Sequence, residues 1–288
     1  MKNYKELLKE QNQKIEELSL EAVKHDGLLL EFVKYQNETI CLEAVRENAV
    51  SLQYVKEQNE KICLEAVRRD GRVLEFVKYQ NEIICLEAVR QNGHAIKYVK
   101  EQTKEVCLTA IRDYAYAAIL YIKEQTEELC LEAVRHDAYC LDNVKNQNHK
   151  ICLEAVRQNG LTLRFVKEQN DDICMEAILQ NPYALEHVKQ QNIKLCIAAV
   201  RRNVKVIQFV EKGLIAEVCK ILNILYLPAG ENTRDLVITQ DDGNYKCYIG
   251  CQKGISIEEL EWRIYNKDGG LEKNPHRQAY LDFISEIE

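Results

Sequence analysis

Cysteine returns along this chain at a fixed step. Cys41, Cys63, Cys85 and Cys107 stand 22 residues apart, and after one inserted residue near Ile119 the same step carries Cys130, Cys152, Cys174 and Cys196. Ser19 holds the same place one period earlier, and Cys219, 23 after Cys196, opens a divergent end. A period of roughly 20 to 50 residues marks stacked repeats, each burying its apolar face against its neighbours. The expected fold is therefore an all-α solenoid of short two-helix repeats with period 22.

Each period reads helix, cap, helix, cap. The first segment, as in Ile62-Cys63-Leu64-Glu65-Ala66-Val67-Arg68, places apolar residues one before and one, three and four after the cysteine, which is helical spacing. Asp26, Asn48, Asp70, Asn92, Asp137, Asn159, Asn181 and Asn203 come next. Their side chains can accept from the free amides that open a second helix, and Asn181-Pro182 is the sharpest case. That second helix is written Leu74-Glu75-Phe76-Val77-Lys78-Tyr79-Gln80, and Asn81, Thr103, Thr126 or Asn170 closes it and caps the next repeat. Both helices are expected to run eight or nine residues. Isolated helices need roughly 12 to 15 residues to persist in water, so stacking must supply the stability.

These recurring words resemble an uncharacterised repeat family of bacteria and large viruses. Its tandem pattern reads Leu-Glu-Ala-Val-Arg-Gln-Asn-Gly, then a Leu, Val and Lys helix ending in Gln, and Cys85 to Thr103 matches it closely. The resemblance covers about residues 18 to 211. It implies the repeat fold and brings no activity and no catalytic residues with it.

Three regions are expected: residues 1–212 as the array with its N-terminal cap, 213–230 as a closing helix and linker, and 231–288 as a small ββαα domain. Gly213 breaks the pattern, and Leu214 to Leu227 reads as one helix stopped by Pro228-Ala229-Gly230. Asp235 to Gln240 and Tyr245 to Cys251 read as strands joined by Asp241-Asp242-Gly243-Asn244. Ser256-Ile257-Glu258-Glu259 reads as a capping box opening a helix through Tyr265, and Asn274-Pro275 as the start of a last helix. A two-stranded hairpin is marginal alone. It must lean on those helices, dock on the array, or pair with a partner's strand, so self-association through the hairpin is one expectation.

Function has to be read from the columns that the repeat creates. The cysteines look like small buried packing residues, and no metal-ligand spacing occurs among the six histidines. Cys247 and Cys251 lie about 13 Å apart if on one strand, too far to share a bond or a zinc ion. Glu21, Glu43, Glu65, Glu87, Glu132, Glu154 and Glu176 form one charged column, and Arg46, Arg68, Arg90, Arg112, Arg135, Arg157 and Arg201 form another, three residues further along each repeat. Such spacing pairs them within and between repeats. A Lys column (Lys34, Lys56, Lys78, Lys100, Lys123, Lys145, Lys167, Lys189) and an aromatic column (Phe32, Tyr54, Phe76, Tyr98, Tyr121, Phe165, Phe209, broken by Asn143 and His187) could track a nucleic-acid strand. The simpler reading is a solvated edge and a core edge. Residues 1–212 carry 31 Lys plus Arg against 33 Asp plus Glu, a balance that favours protein over nucleic acid.

The expectation is a protein-binding scaffold, adaptor or inhibitor, with nucleic-acid binding as the alternative. No nucleophile motif, phosphate loop or cofactor signature occurs, so no enzyme, cofactor or metal is expected. The contact residues expected are those that vary on the second helices while the frame stays fixed: Gln53, Arg72, His94, Lys97, Tyr139, Asp142, Leu161, Arg164, Tyr183 and Glu186. In the tail, Asp268, His276 and Arg277 are expected near a helix N-terminus where an anion could sit. With no apolar run of membrane-span length and a charged rather than apolar start, the chain is expected in the cytoplasm, away from membranes.

Overall fold

A computed structural model describes residues 3–229, 235–241, 244–249, 254–265 and 277–285. The chain divides into two compact units, Met1–Glu154 and Ala155–Glu288. In the first, helix α1 (Tyr4–His25) precedes a short 3₁₀ helix, Gly27–Phe32. The same pairing recurs as α2 (Glu38–Glu47) with Ala49–Tyr54, α3 (Glu60–Arg69) with Gly71–Phe76, and α4 (Glu82–Gln91) with Gly93–Tyr98. Then come α5 (Lys104–Tyr121), α6 (Glu127–His136) with Ala138–Asn143, and α7 (His149–Gln158). The second unit continues with Gly160–Phe165, α8 (Asp171–Gln180) with Pro182–His187, α9 (Ile193–Arg202) with Val204–Phe209, and α10 (Lys212–Leu222).

Both cap columns act as the sequence suggests. The Asn59 carboxamide oxygen accepts from the Ile62 amide at 2.9 Å, and the Asp70 carboxylate accepts from the Arg72 amide at 2.9 Å. Each satisfies one of the donors that a helix start leaves unpaired. Between the caps, Ile62, Cys63, Ala66 and Val67 of α3 are buried with Val73, Leu74 and Val77 of the next segment. The same pattern recurs within each unit, where a repeat is completed by its neighbours.

The second helices differ from expectation. They are 3₁₀ helices of six residues, closed by bonds such as Val73 N–H to Asp70 O and Val77 N–H to Leu74 O, each at 3.1 Å. The physical reason lies in the residues after Phe76. Val77 is extended and buried, and Gln80 folds its side chain back so that Nε2 donates to Leu74 O at 3.3 Å. A side chain thereby replaces the next helical turn.

The inserted residue is absorbed in α5. Tyr114 stands where other repeats place their Asn or Asp cap, and with φ −150° and ψ 83° it kinks the helix. Beyond it the chain continues as α-helix, with Ile122 N–H bonding Ala118 O at 3.0 Å. An α-helix rises about 1.5 Å per residue against about 2.0 Å for 3₁₀, so one more residue fits in nearly the same length.

The tail corrects the sequence reading in two ways. Gly213 lies inside α10, and that helix ends at Leu222 rather than Leu227, because Asn223 adopts a left-handed conformation (φ 52°, ψ 54°). The next four residues, Ile-Leu-Tyr-Leu, include β-forming side chains and become strand β1 (Ile224–Leu227). It pairs antiparallel with β2 (Leu236–Asp241), which pairs antiparallel with β3 (Asn244–Ile249), in the order β1-β2-β3. The arrangement is therefore βββαα, not ββαα. Each hairpin strand has a neighbour on its outer side: β1 lies beside β2, and Ile255 bridges to Cys247 of β3 at 2.7 and 3.0 Å. The hairpin register sets Asp241 opposite Asn244, so β3 starts one residue earlier than read and is described to Ile249.

Helix α11 (Ile257–Tyr265) opens as the capping signal suggests, with the Glu259 amide donating to Ser256 Oγ at 3.1 Å. With α12 (Arg277–Ser285) it covers one sheet face, where Leu236, Ile238, Cys247 and Ile249 pack with Leu260, Ile264, Tyr280 and Ile284. The expected roles of Asp268, His276 and Cys251, and of the Asn274-Pro275 start, lie outside the described residues, as does the side chain of Arg277.

Candidate functional site

The repeat separates its side chains into a frame and a face. In the frame, one glutamine per period joins two repeats. Gln58 Nε2 donates to Leu52 O at 3.2 Å in its own repeat and to Phe76 O at 2.9 Å in the next, while its Oε1 accepts from the Lys78 amide at 2.9 Å. Cys63 Sγ approaches the same Oε1 at 3.8 Å. Gln36, Gln80, Gln102 and Gln125 in the first unit, and Gln169 and Gln191 in the second, repeat the bond to their own repeat and the bond to the next. This gives the cysteine column its place: a small thiol closes the inner side of the glutamine site. Burial pushes the thiols up, Cys63 and Cys174 to about 11, which is the reverse of an activated nucleophile. All the cysteines described are free.

The Lys column belongs to the frame as well. Lys78 Nζ donates to Lys56 O at 2.8 Å and to Val55 O at 3.3 Å in the preceding repeat, and Lys56, Lys123 and Lys189 each make the equivalent pair of bonds. These cations are exposed as expected, but their donors point at backbone carbonyls. The Glu and Arg columns pair across repeats, as Arg46 with Glu65 at 3.3 Å, Arg68 with Glu87 at 3.1 Å, Arg135 with Glu154 at 3.4 Å and Arg157 with Glu176 at 3.0 Å. Sequence spacing alone reveals the Glu–Arg partnership. It does not reveal the glutamine bond, since a polar residue near a helix end reads as solvated.

The face is carried by the 3₁₀ helices. Three residues per turn set the second and fifth residues of each one above the other. These are the exposed ones in Gly71–Phe76, where Arg72 and Glu75 face water while Gly71, Val73 and Leu74 are buried. In the first unit Gln53, Arg72, His94, Lys97, Tyr139 and Asp142 all occupy such positions and are exposed. In the second, Arg164, Tyr183 and Glu186 are exposed and Leu161 is half-buried. Most of the aromatic column is half-buried beside them, as a core edge should be, with Phe32 standing out at 77% exposed.

Many of these side chains are held in place. The Arg72 guanidinium grips Asp70 at 2.8 and 3.0 Å, and that hydrogen bond holds the Asp70 carboxyl below its ordinary range. The His94 ring lies 5.2 Å from that of Tyr114. Lys97 Nζ sits 5.4 Å from the Tyr98 ring centroid and 6.0 Å from that of Tyr121, within cation–π range. In the second unit Arg164 lies over Phe165 at 4.6 Å, and Tyr183 meets Phe209 edge-on at 6.2 Å. Sequence reasoning missed Tyr114, Tyr116 and Leu120, which the irregular α5 leaves exposed. For Leu120 the inserted residue was the signal, whereas Tyr114 and Tyr116 keep the cap and second positions of the frame.

Among the described residues, no cluster of His, Cys, Asp and Glu is arranged to hold a metal ion, and no helix is long and apolar enough to cross a membrane. The architecture defines a helical repeat protein with a constant hydrogen-bonded frame and a variable exposed face. Residues 59–104 and 148–193 each match the model of a domain of unknown function (DUF4116), so the chain carries that domain twice, each copy about two 22-residue periods long. No curated protein and no solved structure matches the chain.

Proposed function

We propose that this chain is a protein-binding repeat scaffold, an adaptor or inhibitor without catalysis of its own, and that partners are read by the exposed residues of its 3₁₀ helices. One observation carries the reading: the second and fifth residues of the 3₁₀ helices change between repeats and are exposed or half-buried, while the recurring glutamine and lysine are bonded to a neighbouring repeat. A surface whose aromatic and charged side chains are already held by neighbours loses little rotamer freedom on binding. Tyr, Arg and His beside half-buried rings also suit a protein interface. The nucleic-acid alternative is weakened because the Lys column is engaged with carbonyls and the array's charges nearly balance.

The test is affinity capture from a lysate of the native cells, half of it nuclease-treated. Wild type, the face variant His94→Ala with Lys97→Ala, and the control Glu60→Gln serve as baits. The reading expects a stoichiometric protein that survives nuclease, is lost with the face variant and is kept with the control. Recovery of nucleic acid, with proteins lost on digestion, would overturn it, and so would capture indifferent to the face variant.

A further inference from the structure

The last repeat of the array has lost the acids that pair with its arginines. Arg46, Arg68, Arg135 and Arg157 each bond the glutamate that stands two residues after the next repeat's cysteine. For Arg201 that place, two after Cys219, is Ile221, and in its own helix Ala198 stands in the Glu column. Residues 193–209, which span α9 and the 3₁₀ helix after it, hold Lys194, Arg201, Arg202 and Lys205 and no acid. The array as a whole nearly balances its charges, so this repeat is a basic exception. Among the described residues Arg201 and Arg202 have no ion-pair partner, and both are exposed.

Both arginines line a cavity of about 380 Å³ within the second unit, bounded by the ends of α9 and α10 and by the sheet. Leu236 and Ile238 of β2, and Cys247 and Ile249 of β3, pack under α11 and α12. Alternation along a strand therefore sends Thr239 and Tyr248 to the other face, where they line the cavity with the Asn203 side chain. Leu222 and Ile224, with Val200 and Val204, supply an apolar wall. No carboxylate lines it. Asp235, beside β2, is engaged with the Tyr226 hydroxyl at 2.8 Å and the Ala229 amide at 2.7 Å. The groove at Lys100 and Lys123 in the first unit differs, since Glu124, Glu127 and Glu128 line it as well.

Two uncompensated guanidiniums beside two hydroxyls call for a dianion. A phosphomonoester carries a charge of about −1.5 to −2 at pH 7 and three strong acceptor oxygens. Planar guanidinium forks match those oxygens, and a monocarboxylate would leave one of the two cations without a counter-charge. The volume is that of a small-molecule site, which spans about 300 to 1,000 Å³, and the apolar wall is placed to cover carbon next to the anion. We infer that this cavity binds a small organic phosphate, with Arg201 and Arg202 on its phosphoryl oxygens and the Thr239 and Tyr248 hydroxyls as further donors.

Calorimetric titration of the full chain with phenyl phosphate, inorganic phosphate and benzoate tests this. One phenyl phosphate per chain is expected, bound more tightly than inorganic phosphate, which cannot reach the apolar wall, and more than about tenfold more tightly than benzoate. Arg201→Gln with Arg202→Gln should weaken phenyl phosphate more than about 20-fold, the loss of charged hydrogen bonds. Arg112→Gln removes an exposed arginine of the first unit that also has no ion-pair partner among the described residues, and it should change nothing. Because Arg201 and Arg202 are exposed, the double variant should unfold at the wild-type temperature without ligand, and the comparison of the three ligands holds whatever the variants do. No heat from either phosphate at millimolar concentration, benzoate bound as tightly as phenyl phosphate, or equal weakening by Arg112→Gln would each overturn the site. Inorganic phosphate bound as tightly as phenyl phosphate would overturn the organic ligand. A single-stranded oligonucleotide that binds more tightly and is displaced by phenyl phosphate would overturn the small-molecule assignment in favour of a nucleic-acid backbone.

Discussion

Gln58 Nε2 donates to the backbone carbonyl of Phe76 at 2.9 Å, across the junction between two successive repeats. The 3₁₀ helix ending at Phe76 has no further turn to occupy that carbonyl, so the side chain of the previous repeat does so. Stacking and the end of the short helix are thus one event.

Gln58→Ala should therefore destabilise far more than its half-exposed position suggests. It leaves Phe76 O and the Lys78 amide without their partner, and each uncompensated group costs about 1 to 3 kcal/mol. The expected loss is roughly 2 to 4 kcal/mol, measured by urea denaturation. Gln58→Glu should not rescue it, because a carboxylate cannot donate to the two carbonyls. A loss below about 0.5 kcal/mol would show that water replaces the bond.

Gly71→Ala is expected to strain the array by close approach. A methyl group there would lie 2.1 Å from Ala88 O, and the Gly71 amide is held to Gln91 Oε1 at 2.6 Å, so the helices cannot part without breaking that bond. Overpacking of this kind costs about 1 to 3 kcal/mol. Thermal unfolding of the variant should show a clear drop, with secondary structure at low temperature unchanged.

Alkaline pH should unfold the array through its cysteines. Burial raises Cys63, Cys174 and Cys196 from an ordinary 9.0 to about 11, so between these values the folded chain holds protons that the unfolded chain releases. That contribution is fully present below about pH 9 and is lost as pH rises through about 11. Each such thiol steepens the decline by up to about 1.4 kcal/mol per pH unit. Urea midpoints at pH 8, 9 and 10 should fall less steeply in Cys63→Ala than in wild type. Parallel slopes would mean that the thiol is not the group titrating.

Much of this architecture is written in the sequence because stacked repeats print the same constraint many times. The period, the Asn and Asp caps and the Glu–Arg partnership each arise from spacing on a helix. What spacing could not give was the competition for backbone groups. Whether Leu74 O bonds a further helical turn or the side chain of Gln80 depends on where Val77 is buried, and that is set by the neighbouring repeat. The tail shows the same limit. Leu214 to Leu227 is apolar enough for one helix, yet the open edge of β2 and the left-handed Asn223 turn its last four residues into a strand. The candidate face was legible as variation against a constant frame, but its geometry required knowing that the second helix has three residues per turn. Of the exposed Tyr114, Tyr116 and Leu120, only Leu120 follows the insertion; Tyr114 and Tyr116 keep the cap and second positions of the frame, seven and nine residues after Cys107, and were legible there.

Lys78 separates a structural column from a binding one. Its Nζ bonds two carbonyls of the preceding repeat, Lys56 O at 2.8 Å and Val55 O at 3.3 Å. If this is its work, Lys78→Met removes the hydrogen bonds, keeps the apolar stem that lies along the array, and lowers stability by about 1 kcal/mol. Charged hydrogen bonds to neutral carbonyls involve no opposite charge to screen, so the deficit should change little between low and high salt. Capture of a partner should then be unaffected by Lys78→Met once the array is folded, in contrast to the loss expected for His94→Ala with Lys97→Ala. The opposite pattern, with unchanged stability and a binding loss that disappears as salt rises, would return the column to the surface as a phosphate ladder.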